Sequence, residues 1–452
     1  MIVSVILSGA HPTPRSFCGE WRRRIAFHRN RARQKDALLT QSSVMPNGDS
    51  PRSASRRFTP AQWVLLGLLG VSLFLAVVTG VFIALRIARP LGGRSVEEQL
   101  ASTSAPVLAG TLDETFHRTG RGGEFRDLVL QPDGKILLSG LFDEVGGARH
   151  KSIARFNDDG TVDAGFDAQA GGAVHAVAVQ VDGKIVLAGD FGSVNRISAK
   201  TVARVMPDGQ IDDTFSPGRG GDKEARSVTV QPDGKILVGG NFVRFNGESH
   251  QRIVRLNEDG SVDSSFRASL NQAAWRIAVQ PDGQILVRGH FTQVNGAQRF
   301  GLARLKSDGS LDDSFAPEQR FENSTTMAVQ PDGKVLATTR RGPIVRLNVD
   351  GAVDDTFQSN ATVDGSIAGL AVDNRGRVIV GGNFSTFEDF ATHNLARLNS
   401  NGSLDKSFHC THDFNDNVSR VGITVDDDVI AAGNFAERLL RFNGGGERRT
   451  TK

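Results

Sequence analysis

A phrase that recurs along the chain limits its fold more than any other feature of the sequence. "VQPDGKILVGGNF" occupies residues 230–242, and close variants occupy 130–142, 179–191 and 279–291. Self-similarity at a period of about fifty residues is typical of proteins built from copies of one supersecondary unit. A single small unit cannot bury its own apolar faces, so the copies are expected to pack on one another.

Three signals recur in register through seven units. The first is an Asp-Gly turn, as at Asp233-Gly234, which weakens to Arg375-Gly376 in the sixth unit and to Asp426-Asp427-Asp428 in the seventh. The second is an arginine followed by an apolar residue and a second turn, with the arginines at Arg155, Arg204, Arg255, Arg304, Arg346, Arg397 and Arg441. The third is an aspartate three residues before a phenylalanine, in the pairs Asp113/Phe116, Asp163/Phe166, Asp212/Phe215, Asp263/Phe266, Asp312/Phe315, Asp354/Phe357 and Asp405/Phe408.

Local chemistry predicts four antiparallel strands in each unit. "SVTVQ" (227–231) alternates apolar and polar residues, which is the period of a strand. Pro232-Asp233-Gly234 then predicts a tight turn, because proline presets φ and glycine accepts a left-handed conformation. "KILVGGNF" follows as the partner strand, and a second hairpin joins "RIVRLN" (252–257) to "SVDSSF".

The predicted fold class is all-β: a seven-bladed β-propeller of four-stranded antiparallel blades, preceded by a single transmembrane α-helix. Radial repetition allows each four-stranded sheet to pack on its neighbours. Residues 111–116 ("TLDETF") precede the first hairpin, and the last unit has no such segment after it. We therefore expect 111–116 to supply the outer strand of the final blade and close the ring.

The repeat resembles a known family. "VQPDGKILVGGNF…IVRLNEDGSVDSSF" is similar to the delta-60 repeat, a bacterial β-propeller repeat of exported or surface proteins, over about residues 105–445. The resemblance implies a propeller and export, but no established reaction and no catalytic residues. The fifth unit departs from the pattern, because "KVLATTRRGPIVRLN" lacks the Gly-x-Phe element.

The N-terminal region differs from the rest in charge and hydropathy. Residues 1–94 carry 14 Lys/Arg and 3 Asp/Glu, whereas the remainder carries 39 and 47, so a nucleic-acid partner is not expected for the folded part. Residues 63–85 contain no charge and are long enough to cross the roughly 30 Å hydrocarbon core as a helix. The run is longer than the apolar region of a cleaved signal peptide, which favours an uncleaved anchor, although cleavage is left open.

The flanking charges indicate the orientation of this segment. Eleven Lys/Arg precede it, but three lie close to it on each side, so only the total favours a cytoplasmic N-terminus and a propeller held outside, periplasmic or extracellular. Whether translation starts at Met1 or Met45 is open. The predicted organisation is a basic, disordered tail (1–60), a transmembrane helix (61–87), a linker (88–104), the propeller (105–445) and a disordered tail (446–452).

Residues present in every unit are expected to build the blade. The repeated Asp is a turn acceptor in this interpretation, the repeated Arg pairs with it, and the repeated Phe lies in the core. Binding is instead expected where the units disagree and their loops share a face. Those segments are 117–124, 143–151, 192–200, 216–224, 243–251, 267–273, 292–299, 316–323, 358–365, 385–393 and 409–417.

One string in these loops contains several metal-ligand residue types. "HCTHDFND" holds the candidate metal ligands His409, Cys410, His412, Asp413 and Asp416, but their spacing fits no standard zinc motif. Whether this loop binds metal is left open. We find no nucleophile elbow, no phosphate-binding loop and no HExxH sequence.

The sequence therefore favours a non-catalytic binding or scaffold module for an envelope protein or a surface glycan, with no cofactor. The alternative is a metal-dependent propeller hydrolase acting on a lactone, a phosphoester or a glycan. The predicted inner strands ("HAVAVQ", "RSVTVQ", "WRIAVQ", "TTMAVQ") carry few carboxylates or histidines, which argues against that alternative. A purely structural spacer is the third possibility.

Overall fold

A computed structural model describes residues 108–117, 123–321, 326–338, 344–358, 363–410 and 412–445, all within the compact unit Leu100–Lys452. The predicted N-terminal tail, transmembrane helix, linker and C-terminal tail lie outside the described residues. Within the described ranges the secondary structure is entirely β, and no helix there is long and apolar enough to cross a membrane. The fold is all-β and propeller-like.

Seven antiparallel sheets of three or four strands, counted over the described residues, follow one another along the chain, and three series of strands build them. With strands numbered in chain order, the first strands are β1 (Glu124–Leu130), β6 (Ala170–Val179), β10 (Ala225–Val230), β15 (Ala274–Val279), β20 (Met327–Val329), β23 (Ser366–Val372) and β28 (Val418–Ile423). The second strands are β2 (Ile136–Leu141), β7 (Ile185–Val194), β11 (Ile236–Gly240), β16 (Ile285–Gly289), β21 (Val335–Thr338), β24 (Val378–Asn383) and β29 (Val429–Gly433). The third strands are β5 (Ile153–Phe156), β9 (Val202–Val205), β14 (Ile253–Leu256), β19 (Leu302–Leu305), β22 (Ile344–Leu347), β27 (Leu395–Leu398) and β30 (Leu439–Phe442).

The sheets are arranged around a centre formed by the first strands. First strands of consecutive sheets contact one another, and β28 of the last sheet contacts β1 of the first. Each of the seven apolar clusters combines residues of two neighbouring sheets, as where Leu237 and Ile253 pack with Ile285 and Val287. The core is therefore divided into wedges between sheets, which explains why no unit is expected to be stable alone.

The first hairpin turn has the predicted geometry. Gly234 has a φ of 82°, its N–H donates to the Gln231 carbonyl at 2.9 Å, and the Asp233 carboxylate accepts the Lys235 N–H at 3.1 Å. In the seventh unit, where the sequence reads Asp-Asp-Asp, Asp427 takes this left-handed position with a φ of 67°. Aspartate tolerates this conformation better than most side chains, so the turn survives without glycine.

A fourth strand was predicted for every unit, and in the described residues the outer segment pairs with the third strand through one isolated bridge. Leu256 pairs with Val262 in this way, and the other units repeat it. The pairing ends at the following aspartate, because Asp263 Oδ1 accepts the Ser265 N–H at 2.9 Å and the Phe266 N–H bonds the Asp263 carbonyl. The chain turns away there. The 111–116 segment occupies this position in the last sheet, with Leu112 bridged to Phe442.

The three repeated signals meet in one structure, which we call the outer clamp: an arginine, an aspartate and a phenylalanine in each unit. Arg255 Nε donates to Asp263 Oδ2 at 2.8 Å, and the guanidinium carbon lies 4.8 Å from the Phe266 ring centroid. Lys235, from the hairpin turn, adds a second cation at 2.7 Å from the same carboxylate. The predicted Arg–Asp pairing is thus confirmed, whereas the contribution of the turn lysine was not foreseen.

Each clamp also reaches the neighbouring sheet. Arg255 donates to the Ser307 carbonyl of the following unit, and Arg155, Arg204, Arg304, Arg346 and Arg397 make the corresponding bonds. In the last sheet Arg441 pairs with Asp113 at 2.8 Å and donates to the Asp158 carbonyl of the first unit at 2.8 Å. The repeated arginine therefore binds the aspartate of its own unit and also links that unit to the neighbouring sheet.

Several of the variable segments between second and third strands are short hairpins. The nine remaining strands are β3 (Glu144–Val145), β4 (Ala148–Arg149), β8 (Ile197–Ser198), β12 (Arg244–Phe245), β13 (Glu248–Ser249), β17 (Gln293–Val294), β18 (Ala297–Gln298), β25 (Thr386–Phe387) and β26 (Phe390–Ala391). An apolar residue such as Phe245 or Val294 enters the core, and an Asn-Gly pair makes the turn, as at Asn246-Gly247 with φ values of 55° and 89°. Asn-Gly favours this type of hairpin turn.

Candidate functional site

The first strands share an irregularity near their N-terminal ends. In β10 the pairing with β11 skips from Ala225 to Ser227, so that Arg226 is an extra, unpaired residue in a β-bulge. The same bulge occurs in β1, β6, β15, β23 and β28. A bulge redirects one side chain out of the regular alternation of a strand. The extra residues, which we call the mouth ring, are Arg126, His175, Arg226, Trp275, Ala368 and Ser419.

All six mouth-ring residues line one cavity of about 350 Å³. They come shortly after the loops that connect consecutive sheets, and these loops belong to the face for which the sequence predicted binding. A second cavity of about 290 Å³ shares four residues with the first, namely His175, Arg226, Trp275 and Arg420. The two cavities therefore form one continuous central pocket that opens on the variable-loop face.

The residues after five of the six bulges contribute to the deeper part of this pocket, in what we call the second ring. Its lining members are Asp127, Ala176, Ser227, Arg276 and Arg420. Asp127 Oδ2 accepts the Val177 N–H of the neighbouring first strand at 3.1 Å, and Ser227 Oγ accepts the Ile277 N–H at 2.9 Å. Asp127 is thus already engaged in holding two sheets together.

Arg288 also lines the deep pocket, from the second strand of the fourth sheet. It pairs directly with Arg276 across the two strands and is only 2% exposed. Every other sheet has a small residue at this position: Ser139, Ala188, Gly239, Thr338, Gly381 and Ala432. Like charges directly opposite in a sheet destabilise it, so this pair of arginines departs from what strand pairing alone favours.

Positive charge exceeds negative charge in the deep pocket. Among the residues that the structure describes, its lining contains Arg226, Arg276, Arg288 and Arg420 but a single carboxylate, Asp127. Burial and the nearby charge of Arg276 lower the pKa of Arg288 to about 9. Burial, Arg276 and Arg126 lower the pKa of Arg420 to about 10, with Asp127 acting in the opposite direction. These guanidinium groups remain charged at neutral pH, at an electrostatic cost that a bound anion would relieve.

The mouth is held by a network of arginine and histidine. Arg126 Nη1 lies 2.6 Å from His175 Nδ1. A guanidinium can only donate, so this ring nitrogen is the acceptor and the imidazole is neutral. Burial, followed by the charges of Arg126 and Arg226, lowers the pKa of His175 to about 4. His175 is therefore uncharged at neutral pH and acts as a hydrogen-bonding partner of the arginines.

Two glutamates at the rim position the mouth arginines. Arg126 pairs with Glu124 at 2.8 Å, and Arg226 pairs with Glu224 at 3.0 Å. Glu224 also accepts Asn241 Nδ2 at 2.7 Å. In the described residues, the buried Nε–H groups of Arg126, Arg226 and Arg420 nevertheless have no hydrogen-bond partner. These buried Nε–H groups are therefore donors that the protein itself does not use, and they can bond a ligand that enters the pocket.

Trp275 is the large apolar side chain of the mouth ring. It is 41% exposed, its ring centroid lies 4.4 Å from that of His290, and the Arg226 guanidinium lies 5.7 Å from it. The equivalent positions in the other first strands are small or polar. Because the other units have no tryptophan at this position, the repeat itself does not require this exposed side chain.

The five candidate metal ligands are described by the structure, and their side chains have different neighbours. The His409 ring faces Phe390 at 6.1 Å, the His412 Nε2 lies 3.7 Å from Glu437 Oε2, and Asp416 accepts the Asn417 N–H. Asp413 is 93% exposed. Cys410 is buried, and burial raises the pKa of its thiol to about 12.

In the part of the chain that the structure describes, no three His, Cys, Asp or Glu residues are placed so that they could hold one metal ion. The metal hypothesis for residues 409–416 therefore stays a prediction without further support from the geometry.

Sequence reasoning missed the central arginines, because the predicted inner strands were searched for carboxylates and histidines. Two signals in the sequence mark them. One is the bulge position, where the units carry Arg126, His175, Arg226 and Trp275 in place of a shared residue. The other is Arg288, which interrupts a series of small residues.

Six segments of the chain match the model of a family described as a domain of unknown function (DUF5122) with a β-propeller fold: residues 131–166, 180–215, 231–266, 280–315, 330–357 and 376–408. The chain thus contains β-propeller repeats. No curated protein matches the sequence.

The chain is also similar to solved structures, at low sequence identity. The extracellular domain of a protein described as a one-component system from B. thetaiotaomicron is 13% identical with a TM-score of 0.47, over 75% of this chain and 43% of that one. Virginiamycin B lyase from Staphylococcus aureus is 14% identical with a TM-score of 0.47, over 71% of this chain and 94% of that one. The WD40 β-propeller domain of Doa1 is 15% identical with a TM-score of 0.46, over 74% of this chain and 96% of that one.

Proposed function

We propose that this protein is a non-catalytic binding module that takes an anionic ligand in the central pocket on its variable-loop face. The observation that carries the proposal is that Arg276 and Arg288 lie directly opposite each other in a pocket whose described lining holds four arginines and one carboxylate. A protein that needed only a stable sheet would place a small residue at 288, as the other units do.

The energetic argument concerns the cost of burying cations. Removing a guanidinium from water is unfavourable unless it is paired, and a second cation beside it adds to that cost. An anion in the pocket would interact with several arginines at once, and charge-assisted hydrogen bonds are about twice as strong as neutral ones. The pocket is preorganised for this role, because Glu124 and Glu224 hold the rim arginines.

The architecture that presents the pocket is proposed to be a seven-bladed β-propeller of the delta-60 type. Each sheet, with the bridged outer segment, would form one blade, and residues 111–116 would complete the last one. The bridge between Leu112 and Phe442 and the pair between Asp113 and Arg441 support this arrangement. A closed ring would hold the six bulges at a fixed distance from one another.

The location of the protein is proposed from its sequence. The uncharged run of residues 63–85 would anchor the chain in a membrane, with the basic N-terminus in the cytoplasm and the propeller outside. The central pocket would then face an envelope protein or a surface glycan. Protease added to spheroplasts should remove the propeller and leave the N-terminal tail, and protection of the propeller would reverse this orientation.

The binding proposal is tested with inorganic sulfate as the probe. The full-length chain, purified in a non-ionic detergent, would be titrated with sulfate by calorimetry in a low-chloride buffer. We expect saturable binding at one site, weakened by added salt. Arg288→Ala should weaken binding at least tenfold, whereas Lys306→Ala, which removes an exposed cation outside the pocket, should leave it unchanged.

Two results would contradict the proposal. One is the absence of saturable sulfate binding, and the other is an equal loss in Arg288→Ala and Lys306→Ala. The proposal that the protein is not an enzyme has its own assay. Lactone, phosphomonoester and glycoside substrates should show no turnover above background, and turnover abolished by His412→Ala would favour the hydrolase alternative.

A further inference from the structure

The central pocket offers unsatisfied groups of both hydrogen-bonding kinds. The buried Nε–H groups of Arg126, Arg226 and Arg420 are donors without partners in the described residues. Asn417 Oδ1, which lines the same mouth, is a buried acceptor without a partner there. A fully deprotonated inorganic anion such as sulfate can accept from the arginines but cannot donate to Asn417. A ligand that satisfies the whole mouth must carry hydroxyl or amide donors together with its negative charge.

The mouth also has an apolar surface beside its charges. Trp275 is 41% exposed at the junction of the two cavities, and it lines both of them. The His290 ring centroid lies 4.4 Å from that of Trp275, and the Arg226 guanidinium carbon lies 5.7 Å from the same ring. An aromatic ring in this position offers a flat apolar face to the ligand while the polar groups lie around it.

The charges are located below this apolar surface. Arg276 and Arg288 line only the deeper cavity, whereas Arg126, Glu124 and Asn417 line only the outer one. Arg226 and Arg420 line both. A ligand that fills the two cavities would therefore place its anionic group inward, and its ring and hydroxyl groups would lie at the mouth.

The size of the pocket suits a small ligand or the end of a longer chain. The cavities have volumes of about 290 and 350 Å³, near the lower end of the roughly 300–1,000 Å³ of small-molecule sites. The opening toward the variable loops leaves space for a chain to continue outward. A terminal sugar residue of a glycan meets both conditions.

We propose that the central pocket recognises a terminal acidic sugar, specifically a pyranose bearing a carboxylate. The sugar ring lies against Trp275, its hydroxyl groups bond Asn417 and the exposed Glu124, and its carboxylate enters among Arg276, Arg288 and Arg420. A planar carboxylate matches the two-pronged donor geometry of a guanidinium. This inference rests on the proposed binding function and names its ligand class.

The test compares ligands that share one property at a time. The full-length chain in non-ionic detergent would be titrated with methyl glucuronide, methyl glucoside, acetate and glucose 6-sulfate at equal ionic strength. We expect the uronide to bind at least tenfold more tightly than acetate, than the neutral glycoside and than the sulfated sugar. Tighter binding of the sulfated sugar, or of adenosine monophosphate, would overturn the inference.

Two variants separate the roles of the ring and the charge. Trp275→Ala should abolish the advantage of the uronide over acetate and leave sulfate binding unchanged, because the alanine removes only the apolar surface. Arg288→Ala should weaken uronide, acetate and sulfate alike. Ala368 and Ala188 occupy the equivalent positions in other units, so both variants reproduce residues that the fold already accepts. Thermal unfolding of each variant would verify this.

The outcomes separate this inference from the proposed function. If sulfate binds in an Arg288-dependent way but the uronide is no better than acetate, the sugar assignment is wrong and the anion site stands. If Trp275→Ala weakens sulfate and uronide equally, the stacking role is also wrong. If no anion binds, the proposed function itself fails.

Discussion

The outer clamps and the central pocket both contain arginines, but the groups that surround these arginines differ in charge. In the clamp, Arg255 has a carboxylate at 2.8 Å, an aromatic ring beneath it and a carbonyl of the next sheet. In the pocket, Arg276 lies directly opposite Arg288 on the adjacent strand, so each arginine has another positive charge as its cross-strand neighbour. The clamp recurs in each unit, whereas the pocket arginines belong to particular units.

This difference separates the residues that build the fold from those available for a ligand. A group present in every unit and satisfied within the protein contributes to packing and to the links between sheets. A group that departs from the repeat and remains incompletely satisfied costs stability in the absence of a ligand. The central pocket has the second character, so its residues should be removable without loss of the fold.

The largest expected effect concerns the clamp that joins the two ends of the chain. Deletion of residues 105–117 removes Asp113 from Arg441, Phe116 from the core and the segment that bridges Phe442. We expect a large fall in the thermal unfolding midpoint, or association through the exposed edge of the last sheet. Deletion of residues 1–58 is the control and should leave the midpoint unchanged, as measured by circular dichroism. Equal effects of the two deletions would contradict the closure of the ring by this segment.

A single clamp residue should have the next largest effect. Asp263→Ala leaves Arg255 buried without its carboxylate, and breaking a buried ion pair in this way costs about 3–5 kcal/mol. The free energy of unfolding, from denaturant titration, measures the loss. Asp308→Ala, at an exposed turn with no arginine partner in the clamp, should cost much less. A comparable loss in both variants would show that the clamp has no special role.

Acid should affect the two regions in different pH ranges. Burial alone would raise the pKa of Asp163. Hydrogen bonds from Lys135, Gly165 and Arg155 together have a larger, opposite effect and lower the pKa to about 2. A carboxylate with a lowered pKa stabilises the fold above its unfolded value near 3.8, and this contribution is lost as the pH falls through about 2. Asp212 behaves in the same way. Each contributes about 2 kcal/mol, so the clamps weaken between about pH 4 and pH 2.

His175 in the pocket acts at higher pH. Its pKa is about 4 in the folded protein, against 6.5 for an exposed histidine, so the unfolded chain takes up a proton first. Stability is therefore lost as the pH falls from about 6.5 to 4, by about 3 kcal/mol from this residue. His175→Ala should reduce the slope of unfolding free energy against pH in this range and leave the slope below pH 4 unchanged. An unchanged slope between pH 6.5 and 4 would contradict the neutral imidazole.

The smallest effect on stability is expected at the centre. Arg288→Ala should cost much less stability than Asp263→Ala, because it also removes a buried cation from a position opposite Arg276. The same variant should weaken anion binding at least tenfold. If Arg288→Ala destabilises the protein as strongly as Asp263→Ala, the pocket arginines are structural and the distinction between the two regions fails.

Much of the fold could be predicted from the sequence, because each step depends on residues close together in the chain. The Asp-Gly turns, the alternation of "SVTVQ" and the Arg–Asp pair within one unit all act over fewer than thirty residues. The extent of the outer strand could not be predicted in the same way. The aspartate that follows "SV" accepts backbone N–H groups and ends the pairing after one bridge, which the alternation alone does not reveal.

The sequence by itself determined the repeat, the β class, the turns and the members of the outer clamp, since these follow from local propensity repeated seven times. Only the tertiary structure decided where Arg126, His175, Arg226 and Trp275 meet. They are about fifty residues apart in the chain, and a bulge in each first strand directs them to one pocket. Their common location is a consequence of ring packing, in which residues at one height of successive sheets converge. The positive charge of the pocket therefore arises only when the units are assembled, because each unit contributes only part of it.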